Sequence, residues 1–238
     1  MSPAKQMTIT PEIFNRFPGY RRGVLVARDV ENGQSPPELA LMLRKEEAEV
    51  RSQFAGVDLN ELPRLTAWRE AFKQVGIKPT KYRPSIDGLF RRVMQGHDLP
   101  SISTLVDIGN IFSLRHRLPV GGHAMDDLKT GMTLREAQGD EVFVPLGTDA
   151  VEHPDAGEII FVDDQTIMTR RWVWRQGLHT LLQPETRLVE FNIDALPPVE
   201  TSEVEQIGIE LGEMVRQYCG GETSFDILTG DRPQIDLV

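Results

Sequence analysis

The stretch SISTLVDIGNIFSLRHRLPVGGHAMDDL, Ser101 to Leu128, decides how the chain is read. An apolar run carries Asp107 and Asn110 inside it, then a basic cluster (Arg115, His116, Arg117), then Gly121-Gly122-His123 closing on Asp126 and Asp127. Apolar interiors tolerate that many hydrogen-bonding groups only when they are paired or used. A glycine pair before a histidine lets backbone approach whatever the imidazole addresses. The spacing predicts a pocket floor at Asp107–Asn110 and a tight turn at Gly121–His123. The rest of the chain is read as scaffold.

Working outward, 238 residues suffice for a buried core. The net charge of −10 argues against a broad nucleic-acid footprint and leaves room for a local basic groove. Cys219 is the only cysteine, which excludes an intrachain disulfide and a cysteine metal cage, and points to a reducing, cytoplasmic setting. The N-terminal MSPAKQMTITPEIF lacks the apolar core of a signal peptide, and no stretch approaches the ~20 apolar residues of a membrane span.

Upstream of the central stretch, residues 23–27 read as a buried strand, and helical periodicity follows over 38–55, 60–76 and 85–96. The charges of the first helix, with Glu47 and Arg51 at i,i+4, read as a solvated face. Downstream, a loop precedes β-rich segments at 141–147, 158–164, 166–174, 179–183 and 187–194. A last helix spans roughly Ser202 to Tyr218, residues 225–230 form an edge strand, and the tail is loose. The expectation is one α/β (α+β) domain over residues 1–238, with a central mixed or largely antiparallel sheet and helices packed around it.

Several chemistries find no support. No HExxH is present, so no metal is expected. Neither a G-x-S-x-G elbow nor a histidine near Cys219 supports a nucleophile. No GxGxxG or P-loop surrounds Gly121-Gly122, so no cofactor is expected. Basic charge is concentrated instead. From Lys78 to Arg117 there are seven basic residues, Arg83, Arg91, Arg92 and Arg115 among them, against three acidic ones. That contrast fits an anion-facing groove or a helix face ion-paired to the acidic remainder. In RRWVWRQ, a strand would put Trp172 and Trp174 on one face, fit to stack a base or to fill a core.

The segment PSIDGLFRRVMQGHDLPSISTLVDIGNIFSLRHRLPVGGHAMDDL resembles the B3/B4 region of the bacterial phenylalanyl-tRNA synthetase β subunit. Val106-Asp107-Ile108-Gly109-Asn110-Ile111 matches that family's V-D-x-T-N-Y, and His123-Ala124-Met125-Asp126 its Pro-x-His-Ala-Phe-Asp. The later segment GEIIFVDDQTIMTRRWVWRQ looks like free-standing B3/B4-domain proteins, and the clear resemblance covers about residues 80–195. It implies an editing domain, which hydrolyses tyrosine mistakenly attached to phenylalanine tRNA. Asn110 and His123 would then be catalytic. Gly109, Gly121, Gly122, Trp174 and an acidic residue, Glu190 or preferably Asp194, would bind substrate. Gly109 stands where the family carries threonine, which marks it as the place where specificity diverges.

An aminoacyl ester is already activated, so hydrolysis needs a positioned water and donors for the developing oxyanion. His123 or a tRNA hydroxyl could orient the water, with a histidine pKa near neutrality suited to proton transfer. The backbone of Gly121-Gly122, with Asn110, could meet the oxyanion. The expected partners are tRNA, through Arg83, Arg91, Arg92 and Arg115, and an aromatic amino-acid moiety, with no membrane. A non-catalytic RNA-binding module and a small-molecule (amino-acid) binder with the same fold are the alternatives.

Overall fold

The computed structural model describes residues 5–148 and 150–237. The chain opens with β1 (Gln6–Ile9), a short helix α1 (Pro11–Arg16) and β2 (Arg21–Arg28). Four helices follow: α2 (Pro37–Gln53), α3 (Pro63–Gln74), α4 (Ser85–Met94) and α5 (Thr104–His116). Proline begins α2 and α3, where its missing N–H would be unpaired in any case. Next come β3 (Val120–Ala124), β4 (Gly131–Glu136), β5 (Ile159–Asp163), β6 (Thr166–Arg170), β7 (Arg175–Gln176) and β8 (Leu188–Ala195). Helix α6 (Thr201–Cys219), β9 (Glu222–Leu228) and β10 (Gln234–Asp236) complete it.

The strands form two sheets among the described residues. A mixed sheet runs β10-β1-β4-β5-β6-β7, with β1 and β4 parallel. An antiparallel sheet runs β3-β8-β2-β9. Their inner faces meet where Arg22 of β2 lies 4.2 Å over the Phe161 ring of β5. Helices α5 and α6 cover the outer face of the antiparallel sheet, and α2 and α4 pack outside α5. On that outer face Gly208 of α6 admits Phe225, since a Cβ there would stand 2.2 Å from the ring. The core gathers Trp68, Phe72, Phe90, Phe112, Phe161 and Phe191, all buried. This is a mixed α/β domain, as the pattern of elements predicts.

Seven expectations need correction. Gly121-Gly122-His123 is strand, not turn, because it pairs antiparallel with residues 190–192, while Ser113 Oγ donates to the outward Val120 carbonyl beside it. The 166–174 strand stops at Arg170, since Arg171 and Trp172 adopt positive φ in a tight reversal held by Glu158. Residues 141–147 make only isolated bridges, and 179–183 lies largely outside any strand after a 3-10 turn at Leu178–Thr180. The loop after Leu128 contains β4, and the tail strand β10 pairs with β1. Nor is the charged face of α2 all solvated. Glu46 and Glu47 are buried, reaching Arg115 and the Leu99 N–H, contacts that sequence spacing within one helix does not disclose.

Candidate functional site

The site is built around the edge strand β3 and its neighbour β8. In register Gly121 faces Asn192, Gly122 faces Phe191 and His123 faces Glu190. Side chains alternate across a strand, so Gly121, His123, Glu190, Asn192 and Asp194 share the inner face, and Gly122 and Phe191 share the outer one. Backbone parity matters as much. The Val120 carbonyl bonds Ser113 and the Gly122 carbonyl accepts Gln176 Nε2 at 3.0 Å, so both residues turn their polar groups away from β8. The N–H of a strand residue points to the same side as its carbonyl. Gly122 therefore presents its N–H at the sheet edge, whereas Gly121 faces β8 with its own.

On the inner face is a polar chamber of about 120 Å³, lined by Arg22, His123, Phe161, Thr169, Gln176 and Asp194 among others. It has room for a few waters. Arg22 organises it. Its Nη1 donates to both Asp194 oxygens at 2.8 Å, and its Nη2 donates to Glu190 at 3.1 Å. Tyr20 Oη and Asn192 Nδ2 also donate to Asp194, at 2.5 and 2.7 Å. Burial pushes the Glu190 carboxyl up to about 7, against the pull of Arg22, and its Oε2 has no hydrogen-bond partner. His123 is 5% exposed and stacked on Phe161. Its Nδ1 lies 2.7 Å from Thr180 Oγ1 and its Nε2 3.3 Å from Thr169 Oγ1. Burial, with Arg22 adding to it, lowers the imidazole to about 3, so it is neutral at physiological pH.

On the outer face is an apolar chamber of about 390 Å³ between β3 and α5. Leu105, Val106, Gly109 and Asn110 contribute one stripe of α5, and Leu182 and Phe191 face them. Leu105, Gly109, Gly122 and Phe191 are buried and form its floor. Ile102 and Leu146, 64% and 62% exposed, stand at its mouth. The two chambers share Val120, Gly121, Gly122 and Gln176. A strand of two glycines is the wall between them.

The profile of one family, described as the B3/4 domain, matches residues 67–212. The chain belongs to the B3/4 domain family. Among solved structures it is similar to an N-terminal fragment of the phenylalanyl-tRNA synthetase β subunit from Pyrococcus horikoshii, at 8% identity and a TM-score of 0.44. That superposition covers 94% of this chain and 51% of the fragment, so the chain spans about half its length. No curated protein matches the chain.

Within this B3/4 domain, the residues singled out in the sequence divide between the chambers. His123, Asp194 and Trp174 line the polar one, Gly109 and Asn110 the apolar one, and Gly121 and Gly122 both. Asp107 joins neither. Buried at the start of α5, it accepts from Ser35 Oγ, Ser101 Oγ and the Ile102 N–H, and so fixes the loop before the helix. The tryptophans part company. Trp172 packs among Phe17, Tyr20 and Trp68, while half-buried Trp174 stands at the chamber mouth against Tyr82, their ring centroids 4.8 Å apart. The near-neutral histidine pKa expected of His123 gives way to a low one because the ring is buried beside a cation.

The four arginines assigned to RNA line neither chamber. Arg91 pairs with Asp87 at 3.0 Å, Arg115 pairs with Glu46 at 2.5 Å, and Arg92 donates to the Asp98 carbonyl. Arg83 is exposed, two residues before the first turn of α4. Sequence reasoning missed Arg22, Thr169, Gln176 and Thr180. Arg22 had a signal, a charge directly before the apolar run GVLVA of a strand. The others had none.

Among the described residues no group of three His, Cys, Asp or Glu side chains is placed to hold a metal ion. No helix there is long and apolar enough to cross a membrane.

Proposed function

We propose that this B3/4 domain is a trans-editing hydrolase that binds tRNA and removes a wrongly attached amino acid. One observation carries the reading: a glycine edge strand, its Gly122 N–H turned away from β8, stands between a polar chamber and an apolar one. An aminoacyl ester laid across the edge would put its carbonyl oxygen at the Gly122 N–H and its amino-acid side chain in the apolar chamber, on the floor of Leu105, Gly109 and Phe191. Water in the polar chamber would approach from the His123 and Thr169 side. Its oxygen bonds to the acyl carbon, the ester C–O bond breaks, and the ribose oxygen leaves with a proton. The neutral imidazole orients the water, and a ribose hydroxyl beside the ester supplies its second hydrogen bond. The tyrosyl-tRNA(Phe) expected from the resemblance is the first substrate to try, within a panel of mischarged tRNAs. Release of amino acid, reduced at least 10-fold in His123→Ala, is the expected result. No deacylation of any member would end the hydrolase reading.

A second reading, a small-molecule binder, draws support from the basic side chains. Arg91 and Arg115, two of the four arginines assigned to RNA, are already paired to carboxylates, on a chain of charge −10. Filter binding of tRNA over a salt series separates the two. Binding that weakens steeply with salt supports the RNA reading, and none at low salt supports the small-molecule binder.

A further inference from the structure

We infer that the apolar chamber selects an acyl group whose side chain is hydrocarbon to its tip, and discriminates against tyrosine. The inference rests on the placement of the acyl group across β3 just proposed. Every carboxylate of β8 points away from this chamber. Glu190 and Asp194 lie on the inner face, held by Arg22, and the β8 side chain that reaches the outer chamber is Phe191. The floor of Leu105, Gly109, Gly122 and Phe191 carries no polar side chain. Its polar side chains stand elsewhere. Asn110 is half-buried, Gln183 is exposed, and the Gln176 amide donates to the Gly122 and Thr180 carbonyls. With the Gly122 N–H taken by the ester carbonyl, a phenolic hydroxyl driven onto that floor would lose its water and meet no polar side chain.

The chamber also has the shape of a hydrocarbon site. Two glycines, 109 on α5 and 122 on β3, bring no side chain of their own into the chamber, and the Phe191 ring edge lies against both. A Cβ at Gly122 would stand 2.9 Å from Leu182 Cδ1. Ile102 and Leu146 expose apolar surface at the mouth, which a bound hydrocarbon would cover.

The test uses the full chain and three non-hydrolysable probes, adenosines carrying leucine, phenylalanine or tyrosine through a 3′-amide, titrated by calorimetry. The leucyl and phenylalanyl probes are expected to bind at least 10-fold tighter than the tyrosyl one. Equal or tighter tyrosyl binding overturns the inference, as does the absence of binding by all three. Because the probes do not react, selective binding by a protein that deacylates nothing removes the hydrolase reading and leaves the chamber's selectivity standing. Fast tyrosine release alongside tight tyrosyl binding does the reverse. Gly109→Leu fills the chamber and is expected to weaken the leucyl and phenylalanyl probes at least 10-fold. Should that variant fold poorly, Ile102→Ser, at an exposed position, is expected to weaken both a few-fold. Unchanged affinity in a folded variant of either kind overturns the inference.

Discussion

The two faces of β8 are built by opposite rules. On the inner face Glu190, Asn192 and Asp194 recur every second residue, and Arg22 from the neighbouring strand binds both carboxylates. On the outer face Val189, Phe191 and Ile193 are buried against helices and glycines. The polar face is crowded and largely satisfied within itself, while the apolar face leaves a chamber more than three times larger. Charges in a low-dielectric interior must pair or neutralise, which fixes their geometry. Hydrocarbon surfaces need only exclude water, and can leave room for a guest. The division of labour follows. The inner face holds a fixed polar frame, and the outer face offers space.

Removing the centre of the polar face should break the comparison most severely. Arg22→Met leaves Asp194 and Glu190 buried with no cation, and loss of one partner from such a cluster costs about 3–5 kcal/mol. Urea unfolding at pH 7 should show a loss of that size. A loss under about 1 kcal/mol would mean that water or neutralisation already serves the carboxylates.

Acid should attack the same face through His123. The unfolded imidazole takes up a proton near pH 6.5, and the folded one only near 3. The stability tied to its neutral form is therefore complete above about pH 6.5 and falls away as pH drops toward 3. Between pH 7 and 4.5 the wild type should lose about 2–3 kcal/mol more than His123→Asn, by the linkage arithmetic. Parallel unfolding curves for the two proteins would show that the ring reaches water.

Glu190 runs the other way. Its folded pKa of about 7 lies above the unfolded value, so the folded state holds its proton longer. The penalty is absent below about pH 4.5, grows as pH rises toward 7, and is complete above it. Glu190→Gln should therefore stabilise by about 3 kcal/mol more at pH 8 than at pH 4. Equal effects at both pH values would mean that Arg22 already holds the group ionised.

Much of this architecture was legible in the sequence, and the limits have physical causes. Helical periodicity located α2, α3, α4 and α6, because each buries a stripe against its neighbours, whereas α5 was legible only as an apolar run. The glycine pair and His123 were marked as site residues by being unusual in an apolar context. Which chamber each would face was hidden, since a one-residue difference in a strand flips a side chain to the other face and the register depends on a partner 69 residues away. Arg22 escaped notice because its partners lie 168 and 172 residues on. The pairing of Arg115 was hidden for the same reason, since the Glu46 that takes up its charge lies 69 residues away.

The smallest expected effect is on the apolar face, and it separates space kept for a guest from space needed for packing. Glycine in a helix interior is about 0.8–1 kcal/mol less favourable than alanine. At Gly109 a Cβ would meet Phe191 Cε1 at 3.5 Å, the Val120 carbonyl at 3.7 Å and Gly121 Cα at 4.0 Å, all ordinary contacts. Gly109→Ala should therefore stabilise the protein by about 0.5–1 kcal/mol. The same change at Gly208 should destabilise it, because the new Cβ would meet the Phe225 ring at 2.2 Å. Thermal unfolding of the pair reads both signs. If Gly109→Ala gains stability and loses affinity for the hydrocarbon probes, the glycine at 109 serves what enters the chamber, whereas the glycine at 208 serves the fold. If it loses stability instead, α5 and β3 are packed as tightly as α6 and β9, and the apolar face is closed like any core.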